Sequence, residues 1–163
     1  MKYLKISVGI FIALAASRFF PHPPNFTSLL ALSFYIPALF GRKYILSLII
    51  CFMLTDLIIG FHTTTLFTWG SVAIIGYFSH YFLKSISKRL FGVFSATLIF
   101  FIISNFGVWM SSILHGNNNL NLLETYFIAI PFYGNTLVST IVFSLIIEGL
   151  ISLKKVKTIL KKI

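Results

Sequence analysis

Six apolar runs, each long enough or nearly long enough to cross a lipid bilayer, constrain the fold of this chain more than any other feature. They cover residues 3–20, 27–41, 44–60, 66–84, 91–114 and 131–153. A helix of about 20 apolar residues spans the hydrocarbon core of a bilayer. With 58% hydrophobic residues in 163 positions, the chain carries more apolar surface than a soluble domain of this length buries. We therefore predict an all-α, polytopic membrane protein, a bundle of six transmembrane helices.

The positive charges predict how this bundle is oriented. Twelve of the thirteen lysines and arginines lie at the start of the first run, between the second and third, from the end of the fourth to just before the fifth, or after the sixth, and the exception is Arg18. Six spans place these segments on one side of the membrane, and an excess of Lys and Arg marks the cytoplasmic side. We expect both termini inside (N-in, C-in), a six-helix transmembrane domain at 1–153 and a basic cytoplasmic tail at 154–163. The net charge of +10 then needs no nucleic acid as partner.

Two segments leave details of this topology open. The N-terminal stretch has basic, apolar and small residues in the order of a secretory signal peptide, MKYLKISVGIFIALAAS. Its removal would leave five spans, and five spans would break the alternation of charge. The segment IPFYGN at 130–135 either opens the sixth span or forms a re-entrant corner before it.

A carboxylate inside the third run predicts an ion pair. Asp56 lies about one helical turn below the outer end of this run, where an unpaired charge is costly. Arg18 is the only lysine or arginine expected on the outer side, so we predict an Arg18–Asp56 pair. The pair either holds the first and third spans together or contacts a ligand.

Other polar and aromatic residues gather at the same outer side and predict a pocket that opens outward. They come from the PHPPNF corner (21–26), the GFHTTT loop (60–65), the outer half of the fifth span and the stretch ETYFIAIPFYGN (124–135). Ligand sites combine an apolar wall with a few placed polar groups. An interfacial aromatic belt is the alternative explanation for the tryptophans and tyrosines. The predicted ligand-binding residues are Arg18, His22, Phe26, Asp56, His62, Thr64, Trp69, Asn105, Trp109, Tyr133 and Asn135.

We expect no enzyme, no metal and no cofactor. Paired carboxylates, or a Ser or Cys beside a base, do not occur at a convincing spacing. A P-loop is absent, so an ATP-driven step would require other subunits. His22 and His62 are candidate metal ligands, but no cysteine or carboxylate joins them at ligand spacing. Glu148, in the inner half of the sixth span, is expected to reach water or Lys154.

A family of uncharacterised small bacterial integral membrane proteins has signature stretches that resemble four segments of this chain: ASRFFPHPPNFTS, LTDLIIGFHTTT, SNFGVWMSS and LLETYFIAIPFYGNTL. That family is in turn similar to the substrate-binding S components of energy-coupling factor (ECF) vitamin transporters. The resemblance implies a multi-pass protein of the bacterial inner (cytoplasmic) membrane that captures a vitamin-like small molecule from outside. The alternative is a structural or assembly-factor membrane subunit without a small-molecule ligand.

The resemblance also implies partners and one class of ligand. Gly9, Ala13 and Ser17 form a small-residue stripe on the first span, similar to the stripe with which S components dock on a transmembrane coupling protein that works with ATPases. Packing within the domain is the alternative for this stripe. Some S-component relatives handle cobalamin and direct a cysteine toward cobalt. The single cysteine, Cys51, lies near mid-membrane, so a histidine, His22 or His62, would take its place toward a corrinoid.

Overall fold

The computed structural model describes residues 2–116 and 121–153. All regular elements in these ranges are helices, which confirms the predicted all-α class for the described part of the chain. The predicted basic tail (154–163) and the polar loop residues Asn117–Asn119 lie outside the described residues. The helices are α1 (Lys2–Phe19), α2 (Leu29–Phe40), α3 (Tyr44–Ile59), α4 (Thr65–Phe78) with a short 3-10 helix after it (Ser79–Phe82), α5 (Ile86–Leu114) and α6 (Leu122–Ser152).

A capping box starts α6 before the predicted sixth span. The Asn121 side chain accepts a hydrogen bond from the Glu124 amide, and the Glu124 carboxylate accepts one from the Asn121 amide. This reciprocal bonding satisfies two amides that a helix start otherwise leaves free. The helix therefore begins at Leu122 instead of 131, and IPFYGN lies within it with Pro131 as an internal residue. Of the two interpretations of that segment, the re-entrant corner is wrong.

A side-chain cap also moves the start of α5. The Ser85 hydroxyl accepts a hydrogen bond of 3.2 Å from the Lys88 amide, and α5 begins at Ile86 instead of 91. The apolar pattern missed this first turn because its residues are largely polar and exposed.

Successive helices run antiparallel and give the bundle two ends. At the first, Arg18 of α1 meets Asp56 of α3, and we call this the Asp56 end. At the second, Arg89 of α5 meets Glu148 of α6, and we call this the Arg89 end. The other described cations share the Arg89 end: Lys5, Arg42, Lys43, Lys84 and Lys88.

The pairing at the Arg89 end gives Glu148 partners that the sequence analysis did not name. Its two carboxylate oxygens accept hydrogen bonds of 2.5 and 2.8 Å from Arg89, and the Tyr35 hydroxyl donates a third of 2.7 Å. Glu148 therefore joins α2, α5 and α6, with its side chain only 13% exposed, while Lys154 lies outside the described residues. Arg89 was not predicted as the partner because five lysines follow α6 in the sequence and are nearer to Glu148 along the chain.

The short helix α2 lies at the centre of the bundle. It contacts α3, α4, α5 and α6, and most of its residues are buried. Its 12 residues reach about 18 Å, whereas the 31 residues of α6 reach about 46 Å. The chain before α2 is the PHPPNF corner, so open space remains at the Asp56 end between the start of α2 and the longer helices around it.

The surface of the bundle is rich in large apolar side chains, and its apolar interior also holds many hydroxyl residues. Large apolar side chains are widely exposed, with Leu66, Leu114 and Phe20 each more than 70% exposed. Many buried positions instead carry hydroxyls that donate to backbone carbonyls of their own helices. By length and composition, α5 and α6 are each able to cross a membrane, and α2 and α3 are shorter apolar helices.

Candidate functional site

Two adjoining cavities lie at the Asp56 end. The first, which we call the ion-pair cavity, has a volume of about 290 Å³ and is lined by Arg18 and Asp56. The second, the aromatic cavity, has a volume of about 400 Å³ and is lined by Phe101, Phe132 and Tyr133. These volumes are in the range of small-molecule sites. Five residues line both cavities and mark where they meet: Asn25, His62, Thr68, Phe100 and Thr136.

The predicted ion pair is present in the first cavity. Arg18 Nη1 lies 2.7 Å from Asp56 Oδ1 and also donates a short hydrogen bond to the Thr55 hydroxyl. The guanidinium carbon lies 4.7 Å from the centre of the Phe52 ring. The indole N–H of Trp69 donates to the other carboxylate oxygen, Oδ2, over 2.8 Å. One buried carboxylate thus connects α1, α3 and α4.

This arrangement answers part of the question about the pair. The hydrogen bonds show that Arg18 and Asp56 hold helices together. Both residues also line the cavity, so a ligand would meet a charge pair that is already neutralised. The hydrogen bond from Trp69 to Asp56 was not predicted, because the sequence analysis considered only the aromatic ring of Trp69 and not its N–H group.

His22 and His62 both line the ion-pair cavity, but their hydrogen bonds restrain their side chains differently. The His22 ring nitrogens lie 2.7 Å from the Pro23 carbonyl oxygen and 3.3 Å from that of Arg18. His62 instead makes its hydrogen bonds through the backbone, because its amide and carbonyl pair with the Thr65 hydroxyl. Its imidazole therefore projects from a fixed turn at the start of α4, where it lines both cavities. Of the two histidines, His62 is better placed to bond a ligand.

The candidate metal and corrinoid ligands do not gather into a cluster. Among residues 2–116 and 121–153, no group of three or more His, Cys, Asp or Glu side chains is arranged to hold a metal ion. Cys51 is buried against α1, where its thiol lies 3.5 Å from the Ser7 carbonyl oxygen, and it lines neither cavity.

Besides His62, three predicted residues line the aromatic cavity: Thr64, Asn105 and Tyr133. The Asn105 amide group donates to the Phe101 carbonyl over 2.8 Å, which leaves its own carbonyl oxygen as an acceptor. The Tyr133 ring packs 4.9 Å from the Phe101 ring. The cavity therefore presents aromatic faces beside a few fixed polar atoms.

Four predicted residues line neither cavity: Phe26, Trp69, Trp109 and Asn135. Asn25 adopts a left-handed backbone conformation (φ 62°) and lines both cavities, and the next residue, Phe26, packs on Phe143 of α6. Trp109 is turned by about 40° from Asn105, four residues earlier on α5, and packs instead 5.6 Å from Phe106. Asn135 directly precedes Thr136, and one helical step of about 100° turns it from the cavity.

The sequence reasoning missed a hydroxyl stripe on α6. Thr136, Ser139 and Thr140 recur at the spacing of one helix face and line the ion-pair cavity. Each hydroxyl donates to a carbonyl of its own helix, which leaves its oxygen as an acceptor for a ligand. The spacing is visible in the sequence, but it lay in a run that was interpreted as apolar.

The small-residue stripe of α1 divides between two environments. The hydroxyls of Ser17 and Ser28 lie 2.7 Å apart, and the Ser28 hydroxyl donates to the Ala13 carbonyl. Packing within the domain therefore accounts for two of the three stripe residues. Gly9 is exposed, and a Cβ added there would meet no atom within 4 Å.

The fold and the cavities define a class: small all-helical proteins in which longer helices surround a short central helix and two adjoining polar-aromatic cavities lie at one end. The chain belongs to the DUF6580 family, whose description is a family of unknown function and whose profile matches residues 2–161. No curated protein and no solved structure matches the chain.

Proposed function

We propose that this protein crosses the bacterial cytoplasmic membrane six times, with both termini inside, and binds a vitamin-like small molecule for uptake, in the manner of an ECF S component. The role is binding and not catalysis. The observation that carries the proposal is the pair of adjoining cavities at the end opposite the cationic cluster.

The distribution of polarity supports placement in a membrane. Exposed apolar side chains suit contact with lipid, and small hydroxyl residues in the interior suit helix packing without a hydrophobic driving force. The central helix α2 is shorter than a bilayer, but its neighbours shield its ends from lipid. The cations of the Arg89 end then face the cytoplasm, and the cavities face outward.

Cysteine labelling tests this orientation. In a Cys51→Ser background, we expect a cysteine at Leu123, an exposed position at the start of α6, to react with a membrane-impermeant maleimide in intact cells. A cysteine at Ser87, exposed at the start of α5, should react only after the membrane is opened. The reverse pattern would place the cavities toward the cytoplasm and contradict capture from outside.

The charges of the cavities indicate a ligand class. Arg18 and Asp56 are the only Lys, Arg, Asp or Glu side chains among the described residues that line either cavity, and they neutralise each other. The other polar groups are neutral hydroxyls and amides, beside the imidazoles. We propose a ligand without net charge that has an aromatic or conjugated ring for the aromatic cavity and hydrogen-bonding substituents for the ion-pair cavity.

Uptake by cavity variants tests the function. Asn105→Ala and His62→Ala should each lower uptake of the cognate vitamin by about 5- to 150-fold, because each change removes a hydrogen bond worth about 1–3 kcal/mol. The cognate vitamin is found by screening labelled water-soluble vitamins in auxotrophic cells. Cys51→Ser should leave uptake unchanged.

Matched controls come from the same residue types. Asn135→Ala and His115→Ala remove an amide and an imidazole that line neither cavity, so uptake should stay at the wild-type rate. If the two cavity variants are present in the membrane at wild-type levels and support normal uptake, the transport proposal fails and a structural or assembly role replaces it.

A further inference from the structure

A cation held between aromatic rings lies on the surface of the Arg89 end. Arg42, in the turn between α2 and α3, donates to His80 Nδ1 over 2.9 Å and to the Tyr77 carbonyl over 3.2 Å. Its guanidinium carbon lies 4.1 Å from the centre of the Tyr77 ring and 5.9 Å from that of Tyr81. These contacts fix the direction of the guanidinium while the residue stays exposed. We call these four residues the Arg42 cluster.

The chain offers no Asp or Glu side chain to this cation. It has only three acidic residues, and each has its partners elsewhere: Asp56 with Arg18 and Trp69, Glu148 with Arg89 and Tyr35, and Glu124 with the Asn121 amide. An exposed, oriented guanidinium without an internal counter-charge suits an anion from another molecule, and phosphate oxygens match its geometry.

An apolar groove of about 370 Å³ adjoins the Arg42 cluster. Tyr81 belongs to both, because its ring lies beside Arg42 and also lines the groove. The walls are aromatic and aliphatic, formed by Phe34, Ile75, Phe78, Phe82 and Ile99. The α5 side carries the small residues Gly92, Ser95 and Ala96, which keep the groove open toward the surface.

We propose that the Arg42 cluster and this groove form a binding site for an anionic phospholipid, with the headgroup phosphate on Arg42 and one acyl chain in the groove. The site rests on the membrane placement proposed above, which puts Arg42 at the cytoplasmic headgroup layer, where anionic lipids concentrate. Tyrosines suit that layer because their rings are amphipathic. A headgroup with net negative charge is favoured over a zwitterionic one because Lys43 and Lys84 flank the cluster in sequence and add positive charge.

Photocrosslinking in nanodiscs tests the site. The full-length protein is placed in phosphatidylcholine nanodiscs with a trace of phosphatidylglycerol that carries a diazirine on its acyl chain. After irradiation, peptide mass spectrometry should find the label on groove residues. Arg42→Gln should reduce that labelling about tenfold, as expected for the loss of one charge-assisted hydrogen bond. Ser95→Phe should fill the groove and remove the label there while Arg42 is retained.

The controls separate a specific site from general lipid contact. Lys88→Gln removes an exposed cation at the same end, outside the Arg42 cluster, and should leave groove labelling unchanged. A diazirine phosphatidylcholine should label the groove far less than the diazirine phosphatidylglycerol. Equal labelling by both lipids, or unchanged labelling of Arg42→Gln, would overturn the proposal. Neither result bears on vitamin uptake, since the cavities lie at the opposite end of the bundle.

Discussion

Replacing Asp56 by asparagine should destabilise the protein by about 3–5 kcal/mol, because the substitution leaves Arg18 without its counter-charge in a largely buried site. The side chains of Arg18 and Asp56 are only 12% and 5% exposed. The hydrogen bond from the Trp69 indole is also weakened, since an amide oxygen is a poorer acceptor than a carboxylate. The free energy of unfolding can be followed in mild detergent by tryptophan fluorescence, with Trp69 as a reporter beside the substituted group.

Two variants make this result specific to the buried pair. Glu124→Gln removes an exposed carboxylate and keeps a side chain that completes a capping box, so it should cost less than about 1 kcal/mol. A double variant with Arg18→Met and Asp56→Leu removes both charges and should recover much of the loss. Equal unfolding free energies for Asp56→Asn and Glu124→Gln would show that the ion pair contributes no stability.

Replacing Glu148 by glutamine should have an effect of similar size at the other end of the bundle. Glu148 holds Arg89 through two hydrogen bonds and accepts a third from Tyr35, which is fully buried. Loss of the carboxylate strands a partly buried guanidinium, and we expect a cost of about 3–5 kcal/mol in the free energy of unfolding.

The graded contributions within this cluster provide its controls. Tyr35→Phe removes one hydroxyl donor and should cost about 1–2 kcal/mol, less than Glu148→Gln. Lys88→Gln, at an exposed position one residue before Arg89, should stay within about 0.5 kcal/mol of the wild type. A Glu148→Gln protein as stable as Lys88→Gln would mean that the pair does not hold α2, α5 and α6 together.

The features that could be predicted from the sequence are those for which few arrangements satisfy the physics. Six long apolar runs allow little except helices, and the described residues form six α-helices. A lone carboxylate in one run and a lone arginine at the matching depth of another leave few partners, and Arg18 and Asp56 do pair. The choice was forced because an unpaired charge in an apolar environment is costly.

Other features could not be predicted, because several solutions were equally consistent with the pattern. Five lysines follow Glu148 in the sequence, so the sequence did not single out Arg89 as its partner. Hydroxyl residues on α6 serve helix packing as well as they line a cavity, and spacing alone does not distinguish the two roles. The rotation of each helix about its axis determines which side chains line the cavities. Trp109 and Asn135 line neither cavity, because each is turned by a fraction of a helical turn from a residue that does.

The claim that the two cavities hold a small molecule can be measured directly by native mass spectrometry of the full-length protein released from mild detergent. The proposed function predicts a bound species of small-molecule mass in wild-type protein, either co-purified or acquired from a mixture of water-soluble vitamins. Its occupancy should fall in Asn105→Ala and stay unchanged in Asn135→Ala. Wild-type protein that carries only detergent and lipid, and that acquires no mass from the vitamin mixture, would contradict the account.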